Sequence, residues 1–150
     1  MPTAKANGLT IAYETAGDPR NPTILLVMGL GAQLTLWPDA FVEALAANGL
    51  HVVRYDNRDV GLSSDFDSYG IVDMNEVMMK AIAGKPLTPP YTVSDMANDG
   101  IGLLDALGIK SAHVVGLSQV LRDQVVDEVG QVSIGRDRPL VGQIGLAVGR

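Results

Sequence analysis

The stretch HVVGLSQVLRD, His113 to Asp123, decides how the whole chain is read. Its first half is a short apolar run entering Gly116-Leu117-Ser118, the pattern of a buried strand that delivers a serine onto a sharp turn. Its second half, Gln119-Val120-Leu121-Arg122-Asp123, reads differently from that approach. If Ser118 is a nucleophile, the residues that would activate it must be found elsewhere in the chain.

Upstream, the pattern is consistent with this reading. AKANGLTIAYETAG alternates around Asn7-Gly8 and predicts an antiparallel hairpin. TILLVMG (Thr23 to Gly29) and HVVRYD (His51 to Asp56) are continuous apolar runs of the kind that parallel strands covered on both faces show. Between them PDAFVEALAANG predicts a helix opening at Pro38-Asp39, with Phe41, Val42 and Leu45 on one face and a stop at Gly49. DMNEVMMKAIAG places Met74, Val77, Met78, Ala81 and Ile82 at helical spacing, and packing on the core is expected over a flap. TVSDMANDGIGLLDALGI predicts a further helix with Ser94 as its N-cap, Met96, Ile101, Leu104 and Leu107 inward, and Gly108 at its end. Strands alternating with helices in this way define a parallel α/β sheet.

Composition bounds the function. The 150 residues suit one domain, and 47% hydrophobic with 19% charged residues is a globular balance. A net charge of −6 argues against nucleic-acid partners, which require clustered Lys and Arg. There is no cysteine, so disulfides and thiolate chemistry are excluded, and no metal site is expected. The N-terminus lacks a charged start followed by an apolar core, so a cytoplasmic location and no membrane partner are expected.

Gly29-x-Gly31 after a strand, with Asp56 closing the next strand, raises a dinucleotide-binding reading. Leu34 at the third small position and Trp37-Pro38 inside the would-be helix count against it. The same glycines also suit a loop whose backbone N–H groups face a site at the C-terminal end of the sheet. Acyl transfer requires such donors, because negative charge develops on the carbonyl oxygen in the transition state.

Three blocks, ILLVMGLGAQLTLWP, VVRYDNRDVGLSS and YTVSDMANDGIGLLDALGIKSAHVVGLS, together resemble successive segments of the α/β-hydrolase superfamily, nearest its aclacinomycin-methylesterase-like branch. The resemblance covers about residues 1 to 118. It implies an incomplete α/β-hydrolase-type sheet, an N-terminal hairpin followed by parallel strands with flanking helices. It also implies carboxylic-ester or related acyl substrates, no cofactor, Ser118 as nucleophile, and Leu30 and Gln119 as oxyanion donors. Arg58, Asp59, Gly61 and Ser63 match the family's Arg-x-x-Gly-x-Ser loop, for which a structural turn is expected.

The match ends at Ser118. The family's Gly-x-Ser-x-Gly elbow has Val120 in place of its last glycine, and no histidine follows the serine. Of the two histidines, His113 lies on the strand carrying Ser118 and His51 begins a strand at the far end of the sheet, so a structural role is expected for both. The domain reading is residues 1–118 as the N-terminal half of a hydrolase domain and 119–150 as a non-family tail forming a helix and weak strands. The expected function is an inactive, truncated ester hydrolase. The alternative is a non-catalytic binding or self-assembly module, associating through the exposed edge of the strand that ends at Leu117. QVSIG (Gln131 to Gly135) and LVGQIGLAV (Leu140 to Val148) are the tail segments able to cover that edge.

Overall fold

Asn7 and Gly8, both with positive φ, turn the chain between β1 (Thr3–Ala6) and β2 (Leu9–Ala16), and the expected hairpin forms with Ala6 opposite Leu9. A computed structural model describes residues 1–117 and the strand Val132–Ile134. The remaining elements are β3 (Thr23–Val27), α1 (Asp39–Ala47), β4 (His51–Tyr55), α2 (Met74–Ile82), α3 (Val93–Ala106), β5 (Ala112–Gly116) and β6 (Val132–Ile134). They build a sheet of order β1-β2-β4-β3-β5-β6, in which β4, β3 and β5 run parallel and β2 joins β4 antiparallel.

The period-two alternation of β3 and β4 creates two cores. Leu25, Val53 and Tyr55 point to one face, where α3 contributes Leu103 and Leu104. Ile24, Leu26 and Val52 point to the other, where Val42 of α1 and Trp37 close over them. Burying each such aliphatic side chain contributes about 1.5–3 kcal/mol, which holds the helices to the sheet despite their modest lengths. Arg54 adds a polar tie on the α1 side: it pairs with Glu14 across the β2–β4 register, with Asp39 in the first turn of α1, and donates to the carbonyl of Trp37.

Several expectations require correction. Phe41 is exposed and stacks on Trp37 from outside, while Val42 is the buried residue of α1. The N-cap of α3 is Thr92 rather than Ser94, because Thr92 and Asp95 form a reciprocal capping box that Ser94 cannot make from inside the first turn. The inward face of α3 is Asp99, Gly100, Leu103 and Leu104, with Met96 and Ile101 only half-buried. The α2 helix does form, but it does not pack on the core: no residue of it is buried. Its apolar spacing reports an amphipathic face, and that spacing alone does not specify what covers the face.

At the sheet's edge, β6 runs antiparallel to β5 and pairs Ala112, His113 and Val114 with Ile134, Ser133 and Val132. Val132–Ile134, the described part of the expected Gln131-to-Gly135 segment, thus covers the first half of β5. The expected tail helix and the segment Leu140 to Val148 lie outside the described residues.

Candidate functional site

The three parallel strands end together. Beyond β3 come Met28, Gly29 and Leu30; beyond β4 come Asp56 and Asn57; beyond β5 comes Leu117, whose N–H donates to the carbonyl of Val27 at 3.0 Å. Ser118 and Gln119 follow directly and lie outside the described residues. Leu30, the third expected site residue, sits in a tight turn closed by the Ala32 N–H to Gly29 carbonyl bond, with its side chain 95% exposed. No acceptor among the described residues takes its N–H. The loop therefore offers a backbone donor at the end of the sheet where β5 delivers the chain to position 118.

Two residues not singled out as site residues hold this loop. Asn57 Nδ2 donates to the Met28 carbonyl at 2.9 Å, and Asp56 Oδ1 accepts the Leu34 N–H at 2.7 Å, so both ends of the glycine loop are anchored to the end of β4. The other Asp56 oxygen accepts the Leu62 N–H at 3.0 Å, and a Cβ on Gly61, whose φ is +57°, would collide with that carboxylate. Ser63 Oγ donates to the Asp56 carbonyl and accepts the Ala12 N–H, stitching the same turn to β2. The Arg58-to-Ser63 stretch is thus a structural turn, as expected. Its Asp56, with both oxygens engaged and the side chain buried, is not available to a ribose. The chain after Gly31 enters a 3₁₀ turn at Leu34–Leu36, and α1 starts only at Asp39, so no helix N-terminus adjoins the glycines to receive a phosphate. The dinucleotide reading fails on both counts. The polar run Tyr55-Asp56-Asn57-Arg58 at the strand end was the available signal for the brace.

Arg58 and Asp99 form a buried bidentate pair, Nε to Oδ2 at 2.6 Å and Nη2 to Oδ1 at 2.7 Å. Asn7 Nδ2 also donates to Asp99 Oδ1, so the hairpin turn, the β4 loop and α3 meet at one charge pair. The guanidinium lies 5.4 and 5.3 Å from the ring centroids of Phe66 and Tyr91.

Neither histidine reaches the end of the sheet that carries Leu30. His51 opens β4 in register with Thr23, where its Nδ1 lies 3.2 Å from Thr23 Oγ1; burial lowers its pKa, with nearby Asp18 partly opposing. His113 is exposed near the start of β5, in register with Ile24. Each stands roughly 13–17 Å of extended strand from the residues that follow β3 and β5, at about 3.3 Å per residue. No group of three or more His, Asp or Glu that could hold a metal stands together among the described residues. No helix among them is long and apolar enough to cross a membrane.

An antiparallel hairpin leading into parallel strands ordered β4-β3-β5, with a glycine loop after β3 and a Gly-x-Ser after β5, defines the N-terminal part of an α/β-hydrolase fold. Within that fold the chain is similar to the rhodomycin D methylesterase DauP of Streptomyces sp. strain C5, 37% identical over 110 residues, covering 73% of this chain and 31% of the relative. It is also similar to DnrP, the rhodomycin D methylesterase of Streptomyces peucetius, at 36% identity with the same coverage. Among solved structures, the enol-lactonase from Burkholderia xenovorans LB400 superposes with a TM-score of 0.57 at 30% identity, over 78% of this chain and 37% of that one. No family model matches. The chain spans about a third of the length of these relatives.

Proposed function

We propose that this chain carries the nucleophile side of a serine carboxylic-ester hydrolase site and does not turn over esters by itself. In this reading Ser118 is the nucleophile, the N–H groups of Leu30 and Gln119 are the oxyanion donors, and the substrate is a small-molecule ester handled without a cofactor. The division of the chain into residues 1–118 as hydrolase and 119–150 as a tail belongs to the same reading. Support comes from the methylesterase relatives, from the braced glycine loop with its open Leu30 N–H, and from β5 leading to position 118 beside β3.

The observation that carries the inactivity is the placement of the two histidines at the start of their strands. Without a base to take its proton, a serine hydroxyl remains a poor nucleophile. Oxyanion donors alone leave only a residual acceleration. Purified protein assayed on p-nitrophenyl acetate and butyrate is expected to match its Ser118→Ala variant. Saturable turnover that Ser118→Ala abolishes would refute the inactivity.

A second reading, a self-assembly module, is favoured by one observation. β6 pairs with β5 only as far as Val114, so Val115 and Gly116 have no ladder partner on that edge among the described residues. An open apolar edge is a template for strand addition from another chain.

A further inference from the structure

From Asp67 to Pro90 every residue is exposed except Val77, which is half-buried, yet the segment includes Ile71, Val72, Met74, Met78, Met79 and Ile82. Both of its roots are fixed. The Asp59 carboxylate accepts the Phe66 N–H at 3.1 Å with Oδ1 and the Tyr91 hydroxyl at 3.2 Å with Oδ2. The Phe66 and Tyr91 rings meet edge to face at 5.0 Å, and the ion-paired Arg58 lies against both. The two ends of the segment are thereby joined at one latch on the loop that follows β4, at the same end of the sheet as Leu30.

Between the roots the segment has the parts of a hinged element. Gly70 (φ +78°) and Gly84 (φ +62°) flank α2, with no atom near either Cα position that a side chain would meet. The helix is self-contained, N-capped by Asp73 and carrying a Glu76–Lys80 ion pair. At 100° per residue, Met74, Val77, Met78, Ala81 and Ile82 share one face and Glu76 and Lys80 the opposite one. Val77, the residue of α2 with partial cover, lies on that apolar face, while Met74, Met78 and Ile82 of the same face are 68%, 63% and 75% exposed. On the body, the same end of the sheet exposes Leu30 and Leu62.

We propose that residues 66–91 are a latched lid. The Asp59–Tyr91 clasp holds its roots, Gly70 and Gly84 are its hinges, and the Met74/Met78/Ile82 face of α2 closes over the loop that carries Leu30. The lid shuts that loop off from water when an apolar ligand fills the space between. This rests on the reading of the Leu30 end of the sheet as the site.

The absence of cysteine allows a direct test by disulfide trapping in the full chain. Met78→Cys with Leu30→Cys places the pair on the closing faces, and Glu76→Cys with Leu30→Cys is the outward-facing control. All three positions are exposed, so both variants are expected to fold. Under mild oxidation the first pair is expected to cross-link within one chain at least tenfold faster than the control. Equal rates, no intramolecular product from the first pair, or products only between two chains would each overturn the lid. Asp59→Gly, which keeps the left-handed backbone while removing the clasp, is expected to raise amide exchange across 66–91 alone and to erase the rate difference. An unchanged exchange pattern would overturn the latch. Neither readout involves ester turnover, so the hydrolase reading and the lid can fail separately.

Discussion

Removing Arg58 tests whether its pair with Asp99 holds the β4 loop, α3 and the hairpin turn together. In Arg58→Met the Asp99 carboxylate, in a side chain only 1% exposed, keeps the Asn7 amide as its side-chain donor but loses both guanidinium bonds. Stranding one member of a buried pair costs about 3–5 kcal/mol. The retained Asn7 bond places this case near the lower end, about 3 kcal/mol. For a domain whose whole stability is about 5–15 kcal/mol, that is a large fraction. With a urea m-value of about 1.5 kcal/mol per molar, the unfolding midpoint is expected to fall by about 2 M. The double variant Arg58→Met/Asp99→Leu removes the stranded charge and is expected to recover most of the loss, giving a coupling energy of about 2 kcal/mol or more. Urea titrations followed by Trp37 fluorescence measure all four corners of the cycle. A midpoint shift under about 0.5 M for Arg58→Met, or a double variant as unstable as the sum of the singles, would refute the assignment of this pair as the junction.

Three further outcomes are expected. His51 has its folded pKa lowered by burial, so below about 6.5 the unfolded chain takes up a proton that the folded chain resists; the melting temperature should fall from pH 7 toward pH 5, and His51→Gln should flatten that slope. Gly61→Ala sets a side chain against the Asp56 carboxylate at a positive φ and should cost about 2 kcal/mol or more in a denaturant titration, whereas Gly84→Ala, equally left-handed but open, should cost less. Size-exclusion chromatography with light scattering over a concentration series should show self-association that Val115→Lys reduces, if the uncovered half of β5 pairs with another chain; a monomer at every concentration would remove the assembly reading.

The sheet was legible because its signals are local. Apolar runs at Thr23 to Val27, His51 to Tyr55 and Ala112 to Gly116, together with Asn7-Gly8, specify strands and a turn without long-range information. The packing of α2 was not legible, since Met74, Val77, Met78 and Ile82 have the same spacing whether the face meets a core or stands clear of one. The Thr92–Asp95 capping box was present in the sequence, one turn-residue choice away from the Ser94 reading. In the candidate site, Leu30 was picked out through the glycines around it, and it sits in a tight turn at the strand ends. Asp56 and Asn57 were harder, because a polar residue closing a strand reads equally as a ligand contact or as a brace, and only its partners distinguish the two.

Those two residues also guard against misfolding. Their reach to the glycine loop depends on Tyr55 standing opposite Val27. A slip of one residue in that pairing would turn every β4 side chain to the other face and withdraw the Asp56 and Asn57 side chains from their partners at once. The Leu34 N–H and the Met28 carbonyl, both on the chain that follows β3, would then lose their partners together. At about 1–3 kcal/mol for each unsatisfied group, the misaligned sheet is penalised by about 2–6 kcal/mol beyond its lost core contacts. The brace thereby proofreads strand alignment, rejecting an offset chain before the glycine loop after β3 could be built on it.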